Sequence, residues 1–220
     1  MSCLLCSELV QKNYRFLDII LLKRIDSLIC SGCQSSFSRI SLDHCKQCFK
    51  EAVSGICQDC LYWKNKGQTV SHQALYVYNQ AMKDYFSRYK FQGDYCLRSV
   101  FAKDIRVALL PYRDYSLVPI PLSQIGLKER GFNQVQAFLD EAKLPYHNLL
   151  EKRASEKQSS KGRQSRLATQ QPFTLKARAK LPQKICLVDD IYTTGTTIQL
   201  AKQLLYENGV KTIVSFSLVR

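Results

Sequence analysis

The stretch Ile185–Thr197, ICLVDDIYTTGTT, joins an apolar run to two adjacent aspartates and then to a turn built mainly of threonine and glycine. Extended to KICLVDD, the run has the length and composition of a strand buried on both faces. TTIQLAKQLLYENG reads as a helix with Gly209 as its stop, and KTIVSFSLV as a final strand. That order delivers Asp189 and Asp190 to the carboxyl edge of a parallel sheet, where open α/β folds bind ligands. The turn supplies the unpaired first N–H groups of a helix, at the positive end of its dipole, which together make an anion site. Gly195 allows close backbone approach, and Thr193, Thr194, Thr196 and Thr197 add hydroxyl donors. Carboxylates repel phosphate but accept hydrogen bonds from sugar hydroxyls. Acids followed at once by an anion cradle therefore suit a ribose carrying a 5-phosphate. An ordinary helix N-cap accounts for one threonine; it leaves the paired acids and the other threonines without a purpose.

Working back from this stretch, ALYVY is rich in aromatic and β-branched residues and predicts a strand. Met82, Tyr85, Phe86 and Tyr89 recur at helical spacing, which favours core packing over base stacking. Leu97, Val100, Phe101, Ile105, Ala108 and Leu109 mark a second amphipathic helix stopped by Pro111. YSLVPIP is a strand whose prolines put it near an end of the sheet or stop it abruptly. A helix is expected from Gly131 to about Lys143, before Pro145. Strands alternating with helices imply a mainly parallel α/β sheet.

The first 60 residues have a different character. Eight of the ten cysteines fall there as four Cys-x-x-Cys pairs: Cys3/Cys6, Cys30/Cys33, Cys45/Cys48 and Cys57/Cys60. Each pair can sit on a tight turn with both sulfurs converging, and two such turns complete a tetrahedral thiolate site with no position left for water. The expectation is two structural Zn²⁺ ions, paired in sequence order, with a crossed pairing left open by spacing alone. Redox chemistry at Cys-x-x-Cys is the competing reading, and four pairs in one short stretch weigh against it. Cys96 and Cys186 stand alone and are expected to be inert buried thiols; His44, beside Cys45, is expected to be a bystander. The boundaries drawn from this reading are a cysteine-rich zinc-ribbon domain over 1–66 and an α/β domain over 67–220.

Formal charge is +14 in 220 residues, and two zinc ions held by eight thiolates leave the chain strongly basic. A basic chain favours a polyanionic partner. The excess is concentrated between residues 151 and 184, ten basic groups against two acidic, in a polar stretch that reads as a basic flexible loop over about 151–182. Arg153, Lys157, Lys161, Arg163 and Arg166 are its candidate nucleic-acid contacts, sequence-tolerant because the run EKRASEKQSSKGRQSRLATQQP has no aromatic residue for stacking. The longest apolar runs are too short for a membrane span, and MSCLLCSELV lacks the pattern of a secretory signal, so a cytoplasmic location is expected.

Ile185–Thr197 resembles the phosphoribosyl-pyrophosphate signature of type I phosphoribosyltransferases. That resemblance implies a type I phosphoribosyltransferase-like parallel sheet flanked by helices. It puts Asp189 and Asp190 on the ribose hydroxyls, Thr193 to Thr197 on the 5-phosphate, and Mg²⁺ with the pyrophosphate. A second distinctive stretch, VPIPLSQIGLKERGFNQ, together with the cysteine pairs and the far-end signature, resembles the ComF family. The matching positions are Val118 to Leu122 and Arg130, Gly131, Phe132, Asn133 and Gln134, for which the resemblance assigns no role. It implies a small N-terminal double zinc-ribbon module and a part in natural transformation: handling incoming single-stranded DNA in the cytoplasm, beside a helicase-like ATPase, ComFA. Any membrane association would be indirect, at the inner face, through the uptake machinery. An active transferase using phosphoribosyl pyrophosphate in nucleotide metabolism is the alternative. The acceptor site such an enzyme needs is not identifiable in the sequence.

Overall fold

The computed structural model describes residues 1–10, 20, 28–153 and 171–220. Its centre is a four-stranded, all-parallel sheet. The strands are β1 (His72–Tyr76), β2 (Ser116–Pro119), β5 (Lys184–Ile191) and β6 (Thr212–Val219), in spatial order β1-β6-β5-β2. The predicted strand KICLVDD is β5, an inner strand with a parallel neighbour on each side. That position explains its unbroken apolar run, since both faces of an inner parallel strand are covered. The proline-bearing strand is β2, at an edge, as its missing N–H donors require.

Side-chain alternation along the strands builds two cores. Cys186 and Val188 of β5 face the first, with Met82, Tyr85, Phe86 and Tyr89 of α3 (Gln80–Phe91), Ile105 and Leu109 of α4 (Ala102–Leu109), and Phe138 and Leu139 of α6 (Gln134–Glu141). Ile185 and Leu187 face the second, with Ile198, Ala201 and Leu205 of α7 (Thr196–Glu207). Each cysteine group adds to one of these cores: Cys3 to the first, and Cys45, Cys48, Cys57 and Cys60 to the second. Among the described residues, the short helices α1 (Ser31–Ser35) and α2 (Gln58–Asn65) lie beside the cysteines.

Several expectations shift in detail. The amphipathic run from Leu97 opens with a 3-10 turn, Tyr95–Ser99, and only then becomes α4. An unexpected helix, α5 (Gln124–Arg130), occupies the region before Gly131. Gly131 therefore ends that helix, in the left-handed region at φ 78°, and Asn133 starts the next by accepting from Val135 N and Gln136 N. The Arg-Gly-Phe-Asn-Gln motif is thus a sharp corner between two helices. The ends of the basic stretch are tied together: β3 (Leu150–Lys152) pairs antiparallel with β4 (Phe173–Leu175), and Phe173 is buried. Cys186 is buried as expected, whereas Cys96, on the 3-10 turn, is exposed. Among the described residues no helix is long and apolar enough to cross a membrane.

Candidate functional site: a sheet edge, a helix start and two four-cysteine centres

The eight paired cysteines come together as two groups, Cys3, Cys6, Cys30 and Cys33, and Cys45, Cys48, Cys57 and Cys60, with all sulfurs of a group within 4.8 Å of one another. Sequence-order pairing is the one the fold adopts. A tetrahedral ion with metal–sulfur bonds of about 2.3 Å needs sulfurs roughly 3.8 Å apart. The Sγ–Sγ distances of 3.6 Å for Cys6–Cys30, 3.8 Å for Cys45–Cys60 and 3.4 Å for Cys48–Cys57 are close to that edge. Backbone N–H groups of Cys30 and Cys57 point at Cys3 Sγ and Cys45 Sγ, each at 3.3 Å, as donors to thiolates do. The donor set thus fits a four-coordinate thiophilic ion, which would supply folding free energy and no open coordination position. His44 is outside both groups, stacked on Phe49 at 4.1 Å.

At the carboxyl end of β5 the two aspartates part company. Both lie in the strand, so alternation sends their side chains to opposite sides. Asp190 is buried toward α3 and α6, where its Oδ2 accepts from Lys90 Nζ at 2.6 Å and Gln134 Nε2 at 2.7 Å. Its Oδ1 accepts from the N–H of Ile191. Burial opposes its charge, but Lys90 and then Gln134 outweigh burial and hold the carboxyl below its ordinary value. Asp189 has no such partner on its carboxylate; its Oδ1 accepts only from the Asp190 N–H, at 2.9 Å, among the bonds described. Burial first, and the neighbouring Asp190 charge second, push Asp189 up to about 7. Lys90 and then Lys152 of β3 pull the other way and favour its charge, while burial lowers the pKa of Lys152 itself. A cleft of about 240 Å³ opens beside it, between the Pro121–Leu127 segment and β3.

The turn after β5 begins with buried Tyr192 and exposed Thr193. Thr194 and Thr196 turn their hydroxyls toward each other, 2.9 Å apart and buried, leaving Thr193 exposed and Thr197 half-buried. Gly195 is the N-cap of α7, at φ 83°, and no side chain caps the helix. The ordinary threonine cap is therefore not what this turn builds, and the first donors of α7 are left to other acceptors. A Cβ at position 195 would overlap the Tyr192 hydroxyl and lie 3.3 Å from Trp63 Nε1, so glycine is required by space as well as by φ.

Asp189 and the α7 start thus share one end of one strand. Sequence reasoning missed the groups that fix Asp190 beside them and the turn behind them. Lys90 is hidden among the aromatics of α3, and Gln134 sits in a motif whose role was unassigned. Behind the turn, Trp63 donates to Thr194 O at 2.8 Å, and Arg220 donates to Thr193 O. His72 stacks on Tyr192 at 4.0 Å and lies 3.0 Å from each of the Ser215 and Ser217 hydroxyls; burial, then Arg220 and Lys202, keep it neutral. Of the Arg-Gly-Phe-Asn-Gln motif, Asn133 also donates to Ile120 O, Phe132 packs edge-on against Tyr95, and Arg130 lies over Phe91. Of the basic candidates, Arg153 is exposed and its backbone N–H donates to Pro172 O; Lys157, Lys161, Arg163 and Arg166 lie outside the described residues.

No family model matches the chain. Among curated proteins, competence protein ComFC of Streptococcus pneumoniae is 48% identical over 220 residues, which is 100% of both chains. The chain belongs to the ComFC family. ComFC of Bacillus subtilis is 33% identical over 227 residues, covering 99% of this chain and 94% of that one. Competence protein F of Haemophilus influenzae is 26% identical over 216 residues, 87% and 90% of the two. Among solved structures, a hypoxanthine phosphoribosyltransferase from Staphylococcus aureus matches over 55% of this chain and 61% of its own, with a TM-score of 0.34 and 14% identity. A likeness of that size does not by itself place two chains in one fold. Membership of the ComFC family assigns the chain a role in competence.

Proposed function

We propose that this ComFC-family chain handles incoming single-stranded DNA during natural transformation, working in the cytoplasm beside a ComFA-like ATPase. Its sheet-edge site takes a phosphoribosyl group. In this reading Asp189 accepts hydrogen bonds from the ribose hydroxyls. The start of α7 and the turn Thr193–Thr197 hold the 5-phosphate, and Mg²⁺ accompanies the pyrophosphate of phosphoribosyl pyrophosphate. Asp190 does not face the sugar: it is the buried anchor that Lys90 and Gln134 fix, and it sets where the strand ends. The two cysteine centres hold zinc. The observation that carries the reading is a glycine-started helix without a side-chain cap, entered directly from a strand bearing a carboxylate with little else to bind.

The test is a calorimetric titration of the protein with phosphoribosyl pyrophosphate and Mg²⁺, repeated with a saturating single-stranded oligonucleotide. Binding of the sugar phosphate, lost in the Asp189→Asn variant, supports the site; no heat in the wild type removes it. Competition by the oligonucleotide would place the DNA sugar-phosphate in that same site, and independence would give DNA its own surface.

A second reading, an active phosphoribosyltransferase, is favoured by the cleft of about 240 Å³ lined by Leu127, Asn133 and Lys152, which has room for a nitrogenous base. It requires pyrophosphate release when a base is added. Absence of release with every nucleobase excludes transfer to the common acceptors.

A further inference from the structure

The second cysteine centre lies directly behind the turn that starts α7. Helix α2 begins at the ligand Cys57, contains Asp59 and the ligand Cys60, and carries Trp63, three residues further on and on the same face. The Trp63 indole is bonded to Thr194 O at 2.8 Å. Arg220 completes the connection with its side chain only 6% exposed. Its Nη2 lies 3.3 Å from Cys48 Sγ and 3.1 Å from Asp59 Oδ2, while Nη1 donates to Thr193 O and, at 3.4 Å, to Tyr192 O. The guanidinium also lies 4.8 Å over the Tyr192 ring. One side of the fork holds the cysteine centre, and the other holds the turn.

The consequence follows from peptide geometry. In a planar trans peptide, C=O and the next N–H point in opposite directions. Two successive carbonyls, Thr193 and Thr194, are drawn back onto the ribbon, so the N–H groups of Thr194 and Gly195 are aimed away from it. Those donors adjoin the open start of α7. We infer that the second four-cysteine centre, through Arg220 and Trp63, sets the orientation of the phosphate loop, so that metal occupancy and sugar-phosphate binding are coupled. Arg220 is the positioning residue of this coupling; it touches no ligand itself. The inference rests on the phosphate reading of the loop. It is reciprocal: whatever metal occupancy adds to ligand affinity, the ligand adds to metal retention.

Trp63 is the single tryptophan of the chain, so its emission reports this contact without a label. The experiment compares the metal-loaded full chain with its Arg220→Met variant. It measures Trp63 emission, the thiolate charge-transfer bands after replacement of the native ion by Co²⁺, and calorimetric affinity for phosphoribosyl pyrophosphate with Mg²⁺. The variant is expected to keep two metal equivalents, shift the Trp63 emission and the cobalt bands, and bind the ligand about tenfold to a hundredfold more weakly, the range for losing charge-assisted hydrogen bonds. In wild type the ligand should itself move the cobalt bands, and in the variant it should not. Wild-type affinity together with unmoved emission in Arg220→Met overturns the coupling. Should that variant fail to fold, Arg220→Lys, which keeps the charge but loses the rigid two-sided fork, carries the same comparison. If wild type binds no phosphoribosyl pyrophosphate, the phosphate reading falls; the emission and cobalt bands without ligand still decide whether the ribbon holds the loop.

Discussion

Gly195 is a position in the turn that tolerates no side chain. Replacing it by alanine asks an L residue to adopt φ 83° and sets a methyl group into the Tyr192 hydroxyl, with Trp63 Nε1 3.3 Å away. The left-handed conformation costs about 1–2 kcal/mol for a residue with a Cβ. Overpacking against a buried neighbour typically adds about 1–3 kcal/mol. Tyr192 is 2% exposed and stacked on His72, so its ring has little freedom to retreat. The sum, about 2–5 kcal/mol, is a large part of the roughly 5–15 kcal/mol of a typical domain. Gly195→Ala should therefore lower the midpoint of a urea unfolding curve at unchanged slope, and the surviving folded protein should bind phosphoribosyl pyrophosphate poorly because the α7 start is displaced. A variant within about 0.5 kcal/mol of wild type, the usual effect of an unremarkable surface change, and with unaltered ligand affinity would refute the reasoning about this turn.

Other expectations follow from the charges and the metal. Asp189 titrates near 7, far above a free aspartate, so its ionisation opposes folding: stability should decline as pH rises from about 4 through 7, and Asp189→Asn should flatten that decline in pH-dependent unfolding. Ligand affinity should rise over the top of the same interval as the carboxylate forms, and Asp189→Asn should lose that rise. Lys90→Met strips the buried Asp190 of its cation and should destabilise by about 3 kcal/mol at pH 7. Because the Asp190 pKa is depressed in the fold, that deficit should shrink as pH falls below about 4. Displacing the thiolate-bound metal with a mercurial reagent should release two zinc equivalents, seen with a chromogenic chelator, and lower the melting temperature. Reversing Arg163 and Arg166 to glutamate should weaken single-stranded DNA binding and reduce its salt dependence; unchanged binding would take the basic stretch out of the DNA-binding surface.

Much of the scaffold was legible because burial writes itself into sequence. The doubly covered β5 shows as an unbroken apolar run, α3 as Met82, Tyr85, Phe86 and Tyr89 at helical spacing, and edge strand β2 as a run with prolines. The cysteine grouping was legible from spacing and order. Helix α5 was not, because Ile125 and Leu127 remain exposed and no apolar stripe marks it. The unequal fates of Asp189 and Asp190 were implicit in strand alternation, yet the partners that decide them come from distant segments. Gln134 and Asp190 are 56 residues apart, and Trp63 and Thr194 are 131 apart. Local patterns carry no record of such pairs. That is why the turn could be recognised from its own residues while Arg220, His72 and Trp63, which fix it from behind, could not.

A crystal structure of the protein soaked with phosphoribosyl pyrophosphate and Mg²⁺ would show directly whether the sheet edge holds a sugar phosphate. The 5-phosphate should lie against the backbone of Thr194–Thr197 and the ribose hydroxyls on Asp189, with Asp190 still bound to Lys90 and Gln134. A phosphate lodged elsewhere, or a sugar held without Asp189, would contradict this placement.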